Sequence, residues 1–444
     1  MSTINVSNLI IALQQKIDAS ATETDLLYYS KAMQQLRTGH VFIVDNVTNL
    51  PNATLNLGYL YYVRNDELVY FADRFGWVPI YNTSPTAIFS WGGNGGGSLL
   101  GTGLSTPRCS PVQEICCATD WCFVSAGVFH TAAIKTSGQI WSWGSGGNGQ
   151  IGDGLSSNTF FPTREITSST DWCQVSAAYA HTLAVKTTGQ LWAWGSNTCG
   201  RLGDGTTTAR NFPVREFCSA TDWCQSSSGC YHSAAVKTSG QLWTWGYNGC
   251  GRLGDGTTVL RCSPVRERCS ATDWCQVSAS NASTAAVKTS GQIWAWAVNT
   301  CGRLGDGTTV SKCSPVREFC SATDWCGVSA GLIHTVAIKT TGQLWAWGGN
   351  ICGRLGDGTT VSKCSPVREI SSATDWCRVS GYCYSAAIKT SGQLWAWGSN
   401  ICGRLGDGTT TDRCSPVREI TSSTDWCRVS ARSIHTTAIK QKSL

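Results

Sequence analysis

The sequence predicts an all-β chain in which seven small antiparallel sheets close into a ring, a seven-bladed β-propeller, behind a small α+β module at the N-terminus. Three observations predict it. A phrase of the form "GQLWAWGSNICGRLGDG" recurs seven times, its second tryptophan falling at Trp91, Trp143, Trp194, Trp245, Trp296, Trp347 and Trp397, at spacings of 52, 51, 51, 51, 51 and 50. A second marker, "DWC", falls between these at Trp121, Trp172, Trp223, Trp274, Trp325, Trp376 and Trp426. A period near fifty means a solenoid, an array or a propeller. Third, the two halves of one repeat stand at opposite ends of the chain. "HTTAIKQKSL" at the C-terminus lacks the tryptophan strand that always follows it elsewhere, and "TAIFSWG" at 86–92 lacks the strand that always precedes it. Joining residues 425–440 to 87–115 seals a ring and removes both sheet edges.

Residues 1–86 form the first element and do not repeat. "NVSNLIIALQQKI" and "TDLLYYSKAMQQL" read as helices, with Leu26, Tyr29, Met33 and Leu36 on one stripe and capping-box spacing between Ser20 and Glu23. "LGYLYYVRNDELVYFADRFGWVPI" alternates around "RNDE" as a β-hairpin. An apolar stripe of this length serves self-association or packs on the hairpin within one chain.

Residues 87–444 form the second element. "VSAGVFHTAAIKTSGQIWSWG" (124–144) reads as strand, turn, strand, turn, strand, with no helical stripe. In "QLWAWG" Leu394 and Ala396 face one way while Trp395 and Trp397 face the other, so both faces are apolar and each sheet needs cover on both sides. Radially stacked sheets supply that cover. The strand after "DWC" carries small residues, as a crowded ring axis requires. "SGQ" and "GDG" put glycine where the chain turns.

The repeat "GQLWAWGSNxCGRLGDGTT" with "VSAGxxHTxAIK" resembles that of the RCC1 family, named for the regulator of chromosome condensation, over residues 87–440. The resemblance implies a seven-bladed propeller that binds proteins, in some members as a guanine-nucleotide exchange factor for a small GTPase and in others as a cap or inhibitor. The chain departs from the family in having Arg where Gln usually precedes Leu in "GRLGDG", in Ala297 where a Gly is expected, and in Ser283 and Tyr384 at the histidine position. The N-terminal pattern "LGYLYYVRN…ELVYFADRFGWVPI" resembles attachment modules of phage tail fibres and other virion proteins.

Chemistry is sparse. His130, His181, His232, His334 and His435 occupy one place in five blades, so a ring spreads them apart; they read as local hydrogen-bonding groups rather than ligands. The "GDG" aspartates lack the dense acids of a calcium loop, and no phosphate loop, nucleophile elbow or zinc motif is present. The expectation is a non-enzyme with no cofactor and no metal. The net charge of +6 divides as −2 on residues 1–86, from five Lys/Arg against seven Asp/Glu, and +8 on the remainder. Most of the basic residues sit beside acids, so no nucleic-acid surface is suggested. No signal peptide and no membrane-length apolar run is present.

The 24 cysteines follow the repeat. Cys250 and Cys262, Cys301 and Cys313, Cys352 and Cys364, and Cys402 and Cys414 stand twelve apart within a loop. They read either as disulfide clips, each adding about 3 kcal/mol, or as small buried hydrophobes. Cys199 faces Asn211 and Cys109 faces Gly97, leaving both without a cysteine partner in this scheme.

The turn before "HT" differs in every blade and places Phe129, Tyr179, Tyr231, Leu332 and Tyr382 at one mouth of the ring. These residues are candidate partner anchors or a plug for the central channel. Arg210, Arg261, Lys312, Lys363 and Arg413 form a basic ring on outer loops. Together the readings favour a phage virion structural protein of tail-fibre or capsid-surface type. Residues 1–86 would join it to other virion proteins or to copies of itself, and the propeller would recognise a host-surface or protein ligand. Such a protein is assembled in the host cytoplasm and exposed outside it. The alternative is an RCC1-like regulator or inhibitor of another protein.

Overall fold

The computed structural model describes residues 42–44, 60–63, 68–73, 76–80, 86–95 and 99–441. The chain divides into two compact units, the larger of which is Ala87–Gln441. In the smaller unit Phe42–Val44 pairs parallel with Leu60–Val63, which pairs antiparallel with Leu68–Asp73, and that strand with Gly76–Ile80. Val63 stands opposite Leu68. The two helical stretches and their stripe lie outside the described residues.

The larger unit is the predicted seven-bladed propeller. Six blades are contiguous four-stranded sheets, 121–164, 172–215, 223–266, 274–317, 325–368 and 376–418. They are called blades 1 to 6 below. In blade 2 the order from axis to rim is Trp172–Ala177, His181–Lys186, Leu191–Gly195, Arg210–Arg215. Blade 7 is composite: Trp426–Arg432 and His435–Gln441 are completed by Thr86–Gly92 and Arg108–Gln113. Closure is fixed at several points. Trp91 Nε1 donates to Arg404 O at 3.0 Å, Gly93 N donates to Ile434 O at 2.7 Å, and Ser90 Oγ lies 3.2 Å from Thr437 Oγ1.

The alternation in "LWAWG" builds the core between blades. Leu191 and Ala193 of blade 2 pack in one cluster with Trp223 and Trp245 of blade 3, and Ile134 and Ile140 of blade 1 with Trp172 and Trp194 of blade 2. The aliphatic face of each blade thus receives the tryptophan face of the next. All seven tryptophans of the ruler are fully buried, and an indole removes roughly 150–250 Å² from water, which makes these seams the main apolar contribution to stability.

Polar groups latch the same seams. Trp194 Nε1 and the Thr182 hydroxyl both donate to Gln150 O in the preceding blade, at 3.0 and 2.9 Å. With its proton committed there, Thr182 Oγ1 accepts from His130 Nε2 at 2.8 Å. The unit recurs as His181 with Ser233, His232 with Thr284, His334 with Ser385, and His435 with Thr131 across the closure, at 2.8–3.0 Å. In blade 6, Tyr384 takes the histidine's place and donates to His435 O at 2.7 Å.

A second polar anchor is the glutamate of "VRE", one of the acids that stand beside a basic residue in the sequence. Glu216 is buried; its Oε2 accepts from Cys218 N at 2.5 Å and its Oε1 from Ala220 N at 2.6 Å and Trp223 Nε1 at 3.3 Å. It therefore shapes the turn into the next "DWC" strand. Ala297 keeps the positive φ of the missing glycine, +84°, beside the small Ser283.

Candidate functional site

The variable turns converge at one mouth of the channel. Neighbouring turns are tied through the backbone: Val128 N donates to Ala178 O at 2.8 Å, Cys230 N to Ser280 O at 3.1 Å, and Leu332 N to Tyr382 O at 2.8 Å. An arginine from the preceding blade supports several of them. Arg201 Nη1 donates to Cys230 O at 2.8 Å and Arg303 Nη1 to Leu332 O at 2.7 Å. Arginine in place of the family's glutamine thus acquires a structural use, a clamp under the mouth.

The five candidate anchors divide into two groups. Tyr382 is buried at the centre, where its hydroxyl lies 3.1 Å from Cys230 Sγ, 152 residues away across the axis. Arg432 covers its ring at 5.1 Å, and Val128, Cys230, Leu332 and Cys383 pack around it. Burial pushes the Tyr382 phenol well above its ordinary range. Tyr382 and Leu332 belong to a plug. Phe129, Tyr179 and Tyr231 form a row over blades 1 to 3, with ring centroids 4.8 and 5.9 Å apart, and Tyr179 and Tyr231 also pack against the plug.

Tyr247 extends the row, 6.4 Å from Tyr231. Sequence reasoning missed it, although it is the one aromatic at the position after "WG" in any blade. Arg201 lies over the Tyr231 ring at 5.2 Å and Arg252 over Tyr247 at 4.7 Å, which fixes the rings from behind. Phe129 and Tyr247, at the two ends of the row, are each 39 % exposed.

Behind the plug, the inner strands line a cavity of about 410 Å³ that includes Gln174, Gln276, Arg378 and Arg428. Arg428 stacks over Phe123 at 4.7 Å. The five histidines lie in the blade seams, fully buried, and not in this cavity. Among the described residues no group of three or more His, Cys, Asp or Glu side chains could hold a metal ion. The basic ring is largely neutralised: Arg210, Arg261 and Arg413 pair with the "GDG" aspartates Asp204, Asp255 and Asp407 at 3.2, 3.4 and 2.8 Å.

The cysteines of the loops meet a different blade from the one the twelve-residue spacing suggests. Each "GDG" loop hooks over the outermost strand of the following blade, so Gly205 N donates to Cys262 O at 2.9 Å and Gly256 N to Cys313 O at 3.0 Å. Cys262 faces the loop that carries Cys199, and Cys313 the loop that carries Cys250. All 24 cysteines stand as thiols.

A closed ring of seven four-stranded sheets, latched blade to blade, defines a seven-bladed β-propeller. An RCC1-like domain model matches residues 87–438, and the chain belongs to that family. It is 31% identical over 300 residues to the ultraviolet-B receptor UVR8 of Arabidopsis thaliana, covering 64% of this chain and 66% of that one. It is 28% identical to the mitochondrial RCC1 domain-containing protein RUG3 of the same plant, over 67% and 75%. It is also 28% identical to the E3 ubiquitin-protein ligase HERC2 of Mus musculus, but matches only 7% of that protein. The chain thus spans two-thirds or less of the UVR8 and HERC2 lengths.

Among solved structures, Prp20p of Saccharomyces cerevisiae superposes with a TM-score of 0.71 at 19% identity, over 81% of this chain and 92% of that one. Human WBSCR16 gives 0.70 at 19%, over 81% and 100%. These two likenesses concern the fold alone. The relatives overturn the expectation of a phage structural protein. They are a light receptor, a ubiquitin ligase and a mitochondrial RCC1-domain protein, and the resemblance of the N-terminal pattern to tail-fibre modules gains no support from them. That expectation rested on an aromatic hairpin pattern, which specifies a sheet face and no particular partner.

Proposed function

We propose that this chain is a non-catalytic, protein-binding regulator whose propeller engages a protein partner through the mouth that carries Phe129, Tyr179, Tyr231 and Tyr247. The observation that carries this reading is the one-sided aromatic row, exposed at both ends and fixed from below by Arg201 and Arg252. Rigid aromatics on a braced surface are typical binding anchors, since little side-chain entropy remains to be lost. The histidines are committed to the seams and the "GDG" aspartates to their own turns, which supports a binding rather than a catalytic role. Prp20p is reported with binding properties toward Gsp1p and histones, and yeast RCC1 in complex with Kap60. Protein partners of these kinds are the first to test.

A photo-reactive benzoylphenylalanine at Phe129 is expected to cross-link a bound protein, with small GTPases and histones as the first probes. The same group at Ser137, in the exposed turn beyond the strand His130–Lys135 that follows Phe129, is expected to give little or no product. Equal labelling from the two positions would place the binding surface elsewhere. Stimulated release of fluorescent GDP from the GTPase would add exchange activity to binding.

A further inference from the structure

We propose that five of the seven blade seams carry a dithiol site that oxidises to an inter-blade disulfide: Cys199 with Cys262, Cys250 with Cys313, Cys301 with Cys364, Cys352 with Cys414, and Cys402 with Cys109. In each loop a glycine with positive φ follows the cysteine and lets the loop close onto the next blade. A Cβ placed on Gly200, Gly251, Gly302, Gly353 or Gly403 would lie 2.8, 2.9, 2.8, 2.7 or 2.5 Å from the Sγ of Cys262, Cys313, Cys364, Cys414 or Cys109. The same Cβ positions lie no more than 2.6 Å from the partner Cα. With consecutive Cα atoms about 3.8 Å apart, each cysteine pair has its Cα atoms within roughly 8 Å. A small movement of a surface loop brings that into the disulfide range of about 4.4–6.8 Å.

The sequence supplies an independent argument. Scored across seams, cysteine is present on both sides or on neither: five seams have both, and the remaining two have Asn148 with Asn211 and, by repeat register, Gly97 with Phe160. Scored within blades, Cys199 and Cys109 are left without partners. Duplication of whole blades would couple the two cysteines of one blade; the observed coupling follows the contact instead. Packing alone does not call for cysteine, because Gly149 meets Asn211 in the same way and Gly154 N still donates to Asn211 O at 2.9 Å.

The reaction is thiol–disulfide exchange with a low-molecular-weight disulfide such as oxidised glutathione. Two protein thiols lose two electrons and two protons, one S–S bond forms between blades, and the glutathione disulfide is reduced to two thiols. The five bonds would join blades 2 to 7 in a continuous arc and fasten the composite blade through Cys402 and Cys109. Blade 1 alone would remain unstapled on both sides.

The test is non-reducing peptide mapping of the full chain after incubation with oxidised glutathione and alkylation of residual thiols. The expected result is five cross-linked peptide pairs joining the named cysteines, absent after reduction, with Cys262→Ser removing the 199–262 pair and leaving the other four. Cross-links between Cys250 and Cys262 or their equivalents would overturn the proposal. So would full alkylation of the ten thiols, or their recovery only as mixed disulfides with glutathione.

Discussion

Lowering the pH from 8 to 5 is expected to remove most of the propeller's stability, and the five seam histidines are the cause. Each is fully buried and gives its Nε2 proton to a hydroxyl of the next blade, while Nδ1 has no hydrogen-bond partner. Protonation would put a charge on that buried nitrogen. Burial accordingly holds His130 and His232 down to about 3 and His435 to about 4, with Arg432 opposing the charge on His130, and Arg252 and Arg432 opposing it on His232. His181 and His334 are lowered well below the usual range for the same first reason. The unfolded chain titrates near 6.5. Between about pH 4 and 6.5 it therefore takes up protons that the folded chain refuses, so stability is complete above 6.5 and falls as the pH drops.

The slope is about 1.4 kcal/mol per histidine per pH unit, so five together are comparable to the whole stability of a typical domain, roughly 5–15 kcal/mol, within about two units. Asp204, Asp255 and Asp407 of the "GDG" turns are held below the usual carboxylate range and do not contribute in this window. Burial raises Asp204, but hydrogen bonds from Thr206 and Arg210 outweigh it, and the group stays below 3.8. Urea midpoints measured at pH 8, 6.5 and 5 check the expectation, and unchanged midpoints would contradict it. His232→Ser, which copies the natural Ser283, should flatten the slope by about one fifth.

Deleting residues 435–444 is expected to abolish cooperative folding of the ring. The strand His435–Gln441 lies between Trp426–Arg432 and Thr86–Gly92 and carries the sheet from one half of blade 7 to the other. Its loss strips Ile439 from Ile88, Trp121 and Trp143, and Ala438 from Trp91 and Trp426. It also removes the His435–Thr131 latch. Two seams lose their cover at once, at a cost on the order of 5 kcal/mol or more. Thermal unfolding followed by tryptophan fluorescence should become broad, and a peptide of sequence HTTAIKQ added in excess should partly restore the transition. An unchanged transition in the truncated chain would mean that blade 7 is not closed by this strand.

Much of this architecture is legible in the sequence because a repeat states each contact several times. The tryptophan ruler gives the blade number, and the stranded halves "TAIFSWG" and "HTTAIK" give the closure. The seam chemistry is less legible because it lies between copies. Glu216 stands beside Arg215 in the sequence, and only the fold reveals that it caps the next turn. The cysteine partners are obscured in the same way: a twelve-residue spacing suggests one loop, while the loop folds away onto the neighbouring blade. The unpartnered Cys199 and Cys109 were the visible sign. At the mouth, residue type predicts aromatics but not their depth, so Tyr382 and Phe129 look alike in the sequence and differ in the ring.

Native-state hydrogen exchange of the amides in Thr86–Gly92 and His435–Gln441 reads the closure of the ring itself. Closure predicts that these amides exchange only through global unfolding, with the same opening free energy as Ser283–Lys288 on the far side of the ring. Exchange of the two terminal strands orders of magnitude faster than that reference would mean an open seventh blade and no closed ring.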